Sequence, residues 1–151
     1  MIIKRNFMAL IIIGVMGILV TVMGACSNSA GSSDGQQCSL SSVEGTYGFA
    51  LVGNVVDVGP ISTSGTTTFN GTGNDTGAFA VTTFDTFQRF TFVGTYTVNQ
   101  DCTGTATLTI TPAVFGFSVL HFDAVGVDGG REIKWLITDP GIVLAGTLSK
   151  Q

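Results

Sequence analysis

His121 is the only histidine in the chain, and Asp123 stands two positions beyond it. In an extended segment that spacing puts both side chains on one face, where an imidazole beside a carboxylate can take and return a proton. The simpler reading is a surface pair beside a strand turn. Glu44, Arg89, Glu132 and Lys134 are the other ionisable groups near apolar stretches. Each is a solvated charge unless the fold encloses it as a ligand anchor. Tyr47, Phe49, Phe92, Tyr96, Phe117 and Trp135, together with His121, are the residues expected to line a pocket for a small apolar molecule. The same rings can instead fill a core.

Other reactive groupings are missing. No GxSxG element, P-loop, HExxH or CxxC pair occurs, and no Cys/His cluster has zinc-site spacing. The sequence therefore calls for no cofactor and no metal. Gly71 to Gly77, with Asn74 and Asp75, resembles one copy of a glycine-rich calcium repeat, but such sites are built by stacking many copies. It reads as a hairpin turn.

The elements that position these residues are strands. Residues 91 to 98 alternate, with Phe92, Gly94, Tyr96 and Val98 on one face and threonines and Val93 on the other. After the turn from Asn99 to Gly104 the alternation resumes, with Ala106, Leu108 and Ile110 opposed to Thr105, Thr107 and Thr109. Further strands are predicted over 45–58, 64–70, 77–84, 114–127, 132–138 and 142–149. Turn-forming residues separate them, among them Asp128-Gly129-Gly130 and Asp139-Pro140-Gly141. Eight strands at short spacing without a crossover helix predict an all-β fold, an eight-stranded antiparallel up-and-down barrel, with a β-sandwich as the alternative. A barrel of eight strands holds packed side chains or one small ligand.

The chain has 151 residues, enough for one folded domain once a targeting segment is removed. Beyond the first five residues its basic side chains are Arg89, Arg131, Lys134 and Lys150, four against ten acidic ones, a net charge of −6. Nucleic acid is excluded as a partner, because neutralising phosphates needs a basic patch.

Residues 1 to 25 have a basic start at Lys4 and Arg5, an apolar run from Phe7 to Val22, and small residues directly before Cys26. This resembles a bacterial lipoprotein signal peptide, an uncleaved membrane anchor being the alternative. The resemblance implies cleavage before Cys26 and lipidation of its sulfur, so that the lipid anchor makes the membrane a partner. Residues 26–37 are then a flexible tether rich in Ser, Gly and Gln, and 38–151 the barrel domain. By the same resemblance Ser27 implies passage to the outer membrane, facing the periplasm of a bacterial cell envelope. With Cys26 lipidated, Cys38 and Cys102 remain as a pair in an oxidising compartment, where a disulfide is the default and two buried thiols the alternative.

Four stretches, Gly45-Thr46-Tyr47, Thr68 to Asn74, Gly94 to Gly104 and Asp128 to Ile133, are similar to recurring motifs of a family of small, uncharacterised secreted bacterial β-barrel lipoproteins. The strand order is similar to that of allene oxide cyclase-like and lipocalin-like barrels. These resemblances imply a barrel and suggest an apolar cavity, and they transfer no catalytic residue. Three functions are carried forward: an envelope lipoprotein binding a small apolar or amphipathic ligand, an allene oxide cyclase-like cyclase or isomerase, and a structural or interaction module without catalysis.

Overall fold

The computed structural model describes residues 37–151. The expected signal peptide, the lipidated Cys26 and the tether up to residue 36 lie outside the described residues.

Eight strands, β1 (Gly45–Val55), β2 (Gly59–Phe69), β3 (Asn74–Thr82), β4 (Phe87–Val98), β5 (Thr103–Val114), β6 (Phe117–Val127), β7 (Glu132–Ile137) and β8 (Ile142–Lys150), form a closed antiparallel barrel in sequence order. The seam is the β1–β8 pairing, which runs from Tyr47 opposite Lys150 to Val55 opposite Ile142. Closure excludes the sandwich alternative and leaves no strand edge unpaired.

Alternation decides what each strand turns inward. Tyr47, Phe49, Leu51 and Val55 of β1 are buried, as are Phe90, Phe92 and Tyr96 of β4, Ala106, Leu108 and Ile110 of β5, and Ile133, Trp135 and Ile137 of β7. Most threonines face outward, Thr63 and Thr67 being buried, and some pair across strands, as Thr46 with Thr68 at 3.0 Å and Thr97 with Thr105 at 2.9 Å. Burying a large apolar side chain is worth about 1.5–3 kcal/mol, against roughly 0.2–1 kcal/mol for an exposed cross-strand pair. The inward rows therefore set the register.

Several boundaries differ from those expected. β2 starts at Gly59 because Pro60 lies where pairing with β3 has not yet begun, a place a strand tolerates proline. β5 runs on through Pro112, which sits in the register shift between Thr109 and Val114. The hairpin between β5 and β6 turns at Phe115 and Gly116, both at positive φ, so β6 begins at Phe117 rather than at Val114. β3 begins at Asn74, which takes Asp75 out of the expected turn and into the barrel wall.

The two ends of the barrel differ. At one end the 3-10 helix Leu40–Val43 folds over the opening with Val43 buried beneath it, and the disulfide Cys38–Cys102 fixes it to the β4–β5 turn, with Cα atoms 5.0 Å apart. At the other end four hairpin turns, β1–β2, β3–β4, β5–β6 and β7–β8, surround a mouth.

Candidate functional site

The barrel interior is almost filled. Tyr47, Phe69, Tyr96 and Trp135 pack edge to face around Phe69, with ring centroids 5.4, 4.8 and 6.2 Å from it. Phe122 lies against Trp135 at 4.6 Å. Three small apolar voids remain. One of about 30 Å³ lies under the plug beside Val43 and Cys102, and one of about 40 Å³ lies at mid-barrel between Phe92, Leu108 and Trp135. The third, about 30 Å³, lies toward the mouth beside Val55, Phe115 and Phe117. Each is room for two or three waters at roughly 10–15 Å³ apiece. Inside the barrel, among the described residues, there is therefore no preformed cavity of drug-like size, at least about 300 Å³; the larger spaces, about 620 Å³ beside Thr66, Arg89 and Pro112 and about 350 Å³ beside Thr76, Val93 and Thr107, are open grooves on the outer wall.

Five of the seven residues expected to bind ligand point inward: Tyr47, Phe49, Phe92, Tyr96 and Trp135. Phe117 stands half-buried at the mouth and packs against the core. His121 is a correction. It faces outward with its side chain 54% exposed, and its partner is Asp139 rather than Asp123. Nδ1 lies 2.8 Å from Asp139 Oδ1, and the His121 backbone N–H donates to Asp139 Oδ2 at 2.6 Å. One carboxylate thus clamps the β7–β8 turn to β6 from outside the barrel, which is a structural task. The inversion has a physical source: β6 carries apolar residues on both faces, Phe117, Val119 and Val125 as well as Leu120 and Phe122. Leu120 and Phe122 take the interior.

The two inward tyrosines are committed to holding the plugged end. Tyr47 Oη donates to the Gly130 carbonyl. Tyr96 Oη accepts the Gly71 N–H at 3.0 Å and donates to the Leu40 carbonyl at 3.5 Å. Burial pushes the Tyr47 phenol up to about 12, with the neighbouring Tyr96 adding to it, and burial raises Tyr96 as well. Both remain protonated donors across the neutral range. Tyr47→Phe should cost about 1–2 kcal/mol, because it strands a carbonyl at the plugged end; a urea midpoint equal to that of the native chain would show the bond to be idle.

Asp75 was read as a turn residue and belongs to the site instead. It is 2% exposed, points into the barrel beside Gly94 and is the one ionisable carboxyl among the buried side chains. Its Oδ2 accepts from Thr67 Oγ1 at a long 3.4 Å, while Oδ1 has no hydrogen-bond partner among the described residues. Burial raises its carboxyl to about 6, against smaller lowering by the Thr67 hydroxyl and its own backbone N–H. Gly94 makes the niche: a Cβ there would come within 2.5 Å of both Asp75 Oδ1 and the Leu108 side chain. The signal was present in the sequence, since Asp75, Gly77, Phe79 and Val81 continue one period-two row, but the glycines and Asn74 around it carry the composition of a turn.

Thr63 is the second unsatisfied group. Its hydroxyl, on a residue 4% exposed, has no partner and borders both the mid-barrel void and the void toward the mouth. No group of three or more potential metal ligands occurs among the described residues.

The sequence matches no protein-family model and no curated protein. Among solved structures it is similar to designed barrels. A redesigned β-barrel, mFAP1, bound to DFHBI, aligns with a TM-score of 0.56 at 21% identity over 74% of this chain and 98% of that one. A second redesigned barrel gives 0.54 at 19% identity over 75% of this chain and 95% of that one. A de novo fluorescence-activating barrel gives 0.51 at 12% over 76% and 99%. At these identities the likeness is one of fold: this chain, like them, is a closed β-barrel.

Proposed function

We propose that this protein is a cell-envelope lipoprotein, held to a membrane through Cys26, whose barrel takes up a small apolar or amphipathic molecule along its axis. The supporting observation is Thr63. A buried hydroxyl without a partner is costly, and this one lies where two apolar voids meet on the path to the mouth. Because the resting voids are small, a ligand enters by displacing side chains. The half-buried rings Phe79, Phe115 and Phe117 are the ones with room to move. The redesigned barrel bound to DFHBI, similar in fold, adds that such a barrel can hold a small molecule.

The test is extraction of the natively expressed full-length protein followed by mass spectrometry, with titration of the stripped protein by the neutral apolar dye N-phenyl-1-naphthylamine. A reproducible co-purified lipid-like molecule, or saturable dye binding, is the expected result. An empty protein that leaves the dye dark would reject the reading. Lipidation is checked in the same spectrum by the mass of the N-terminal peptide at Cys26.

A second reading, an interaction module on a rigid support, is favoured by the outer wall. Val52 and Leu136 both pair with Ala145, and Val143 stands two residues along the same strand, all four exposed on neighbouring strands. Such a patch is unusual on a free surface once it grows beyond a few hundred Å².

A further inference from the structure

The two ends of the barrel differ in surface chemistry as well as in closure. The plugged end carries Glu44, Arg131, Glu132 and Lys150. At the mouth the β1–β2 turn displays Val56 and Val58, and the β3–β4 hairpin displays Phe84 and Phe87, all exposed and Phe84 wholly so. Arg89 stands just behind them with its guanidinium 5.5 Å from the centre of the Phe87 ring, and it is the one lysine or arginine at that end among the described residues.

A turn that enters an apolar layer must not carry unsatisfied backbone groups with it. Much of that need is met within the tips. Thr83 N–H donates to the Thr86 carbonyl at 3.0 Å and Thr86 N–H to Thr83 Oγ1 at 3.1 Å. Val58 N–H donates to the Val55 carbonyl at 3.1 Å, and Val56 N–H to the Gly141 carbonyl of the neighbouring turn at 2.9 Å. What the tips offer outward is therefore apolar side chains on convex turns, which suit a soft phase into which they sink. Charge narrows the choice of phase: Asp57, Asp85 and Asp139 stand on the same turns, so three carboxylates oppose one arginine and an anionic surface is repelled.

Resting on the anchoring at Cys26 proposed above, and on no ligand, we infer that the mouth end docks on the zwitterionic surface of the membrane that holds the anchor. Phe84 and Phe87 sink into the boundary between headgroups and acyl chains, Val56 and Val58 beside them, and Arg89 reaches the lipid phosphates. The chain outside the described residues is long enough for this. From Cys26 to Cys38 it reaches roughly 40 Å when drawn out. An 11-residue strand, tilted as eight-stranded barrels require, makes a wall about 28 Å tall. The barrel can thus stand mouth-down although its tether leaves from the plugged end.

The test reconstitutes the full-length protein into vesicles of phosphatidylcholine brominated on its acyl chains near the headgroup, as Phe84→Trp, Val127→Trp and Val52→Trp. These three exposed positions report the mouth, the plugged end and the outer wall, and the buried Trp135 gives a background common to all. With its side chain about 5–10 Å deep, Phe84→Trp should be quenched at least about twofold more strongly than the other two. Replacing part of the lipid by phosphatidylglycerol should lower that quenching, and equal or stronger quenching overturns the choice of a zwitterionic surface. Quenching no stronger at Phe84→Trp than at the other two overturns the docking and leaves the anchoring intact. A blue-shifted but unquenched Phe84→Trp overturns it in favour of a second copy of the chain covering the tips. Protein that does not float with the vesicles removes the anchoring as well.

Discussion

Asp75→Asn should make the barrel more stable near neutral pH by roughly 2–3 kcal/mol and should abolish most of a pH dependence that the native protein shows between about pH 4 and 6. The carboxyl is raised from 3.8 to about 6 in the folded chain, chiefly by burial. A raised value means that the folded state holds this proton more tightly than the unfolded one. The associated stability is present in full below about pH 4 and is lost as pH rises through 6. At pH 7.5 the native fold must keep an unpaired anion inside, and asparagine relieves it. The groups that face Asp75 do not blur the window, because Thr67 does not titrate there and the Tyr96 phenol is raised further from it. Asp101 works in the opposite direction, since Thr103 lowers its carboxyl on the exposed β4–β5 turn, but it is common to both proteins and cancels in the comparison. Urea unfolding of the two proteins at pH 4.0 and 7.5 measures the effect. Identical midpoints at pH 7.5 would mean that Asp75 is satisfied or solvated in the folded protein.

Replacing Cys38 and Cys102 together by serine should cost about 4 kcal/mol, the larger of the two effects. The bond joins positions 64 residues apart, and in the chain-entropy account the penalty lifted from the unfolded state grows with the logarithm of that loop. A folded-state loss adds to it. Cys38 N–H donates to the Gln100 carbonyl at 3.1 Å, and the Cys102 carbonyl accepts Gly126 N–H at 2.8 Å, so the crosslink ties the plug to the β4–β5 turn and, through it, to the end of β6. The measurement is the urea midpoint of the double variant against the oxidised native protein. A loss below about 1 kcal/mol would show that the plug holds without its crosslink.

These two positions mark what the sequence made legible. The barrel was readable because inward and outward rows differ in kind: aromatic and aliphatic residues line the inner side of β1, β4, β5 and β7, while the outer side is rich in threonine along β4 and β5 and carries Glu132 and Lys134 along β7. The pairing of Cys38 with Cys102 was readable because the resemblance of the leader removed Cys26 from the count. Asp75 was hidden because Gly71, Gly73 and Asn74 before it have the composition of a turn, and only the register of β3, which begins at Asn74, places it in the barrel wall. His121 was misplaced because both faces of β6 are apolar, so alternation identifies a strand without saying which side is in. The filled interior was hidden too, since side-chain identities do not reveal how tightly rings will interlock.

The order of the strands also governs when the barrel can form. Seven of the eight pairings join sequence neighbours, and each can zip as soon as its hairpin exists. The seam between β1 and β8 is different: it brings Gly45–Val55 against Ile142–Lys150, across nearly the whole domain. Until the last strand has arrived, β1 and β7 each present an open row of backbone donors and acceptors, the kind of edge on which chains aggregate. The chain therefore carries its greatest exposure to misassembly in the interval before residue 142 arrives, and its final nine-residue strand ends that interval.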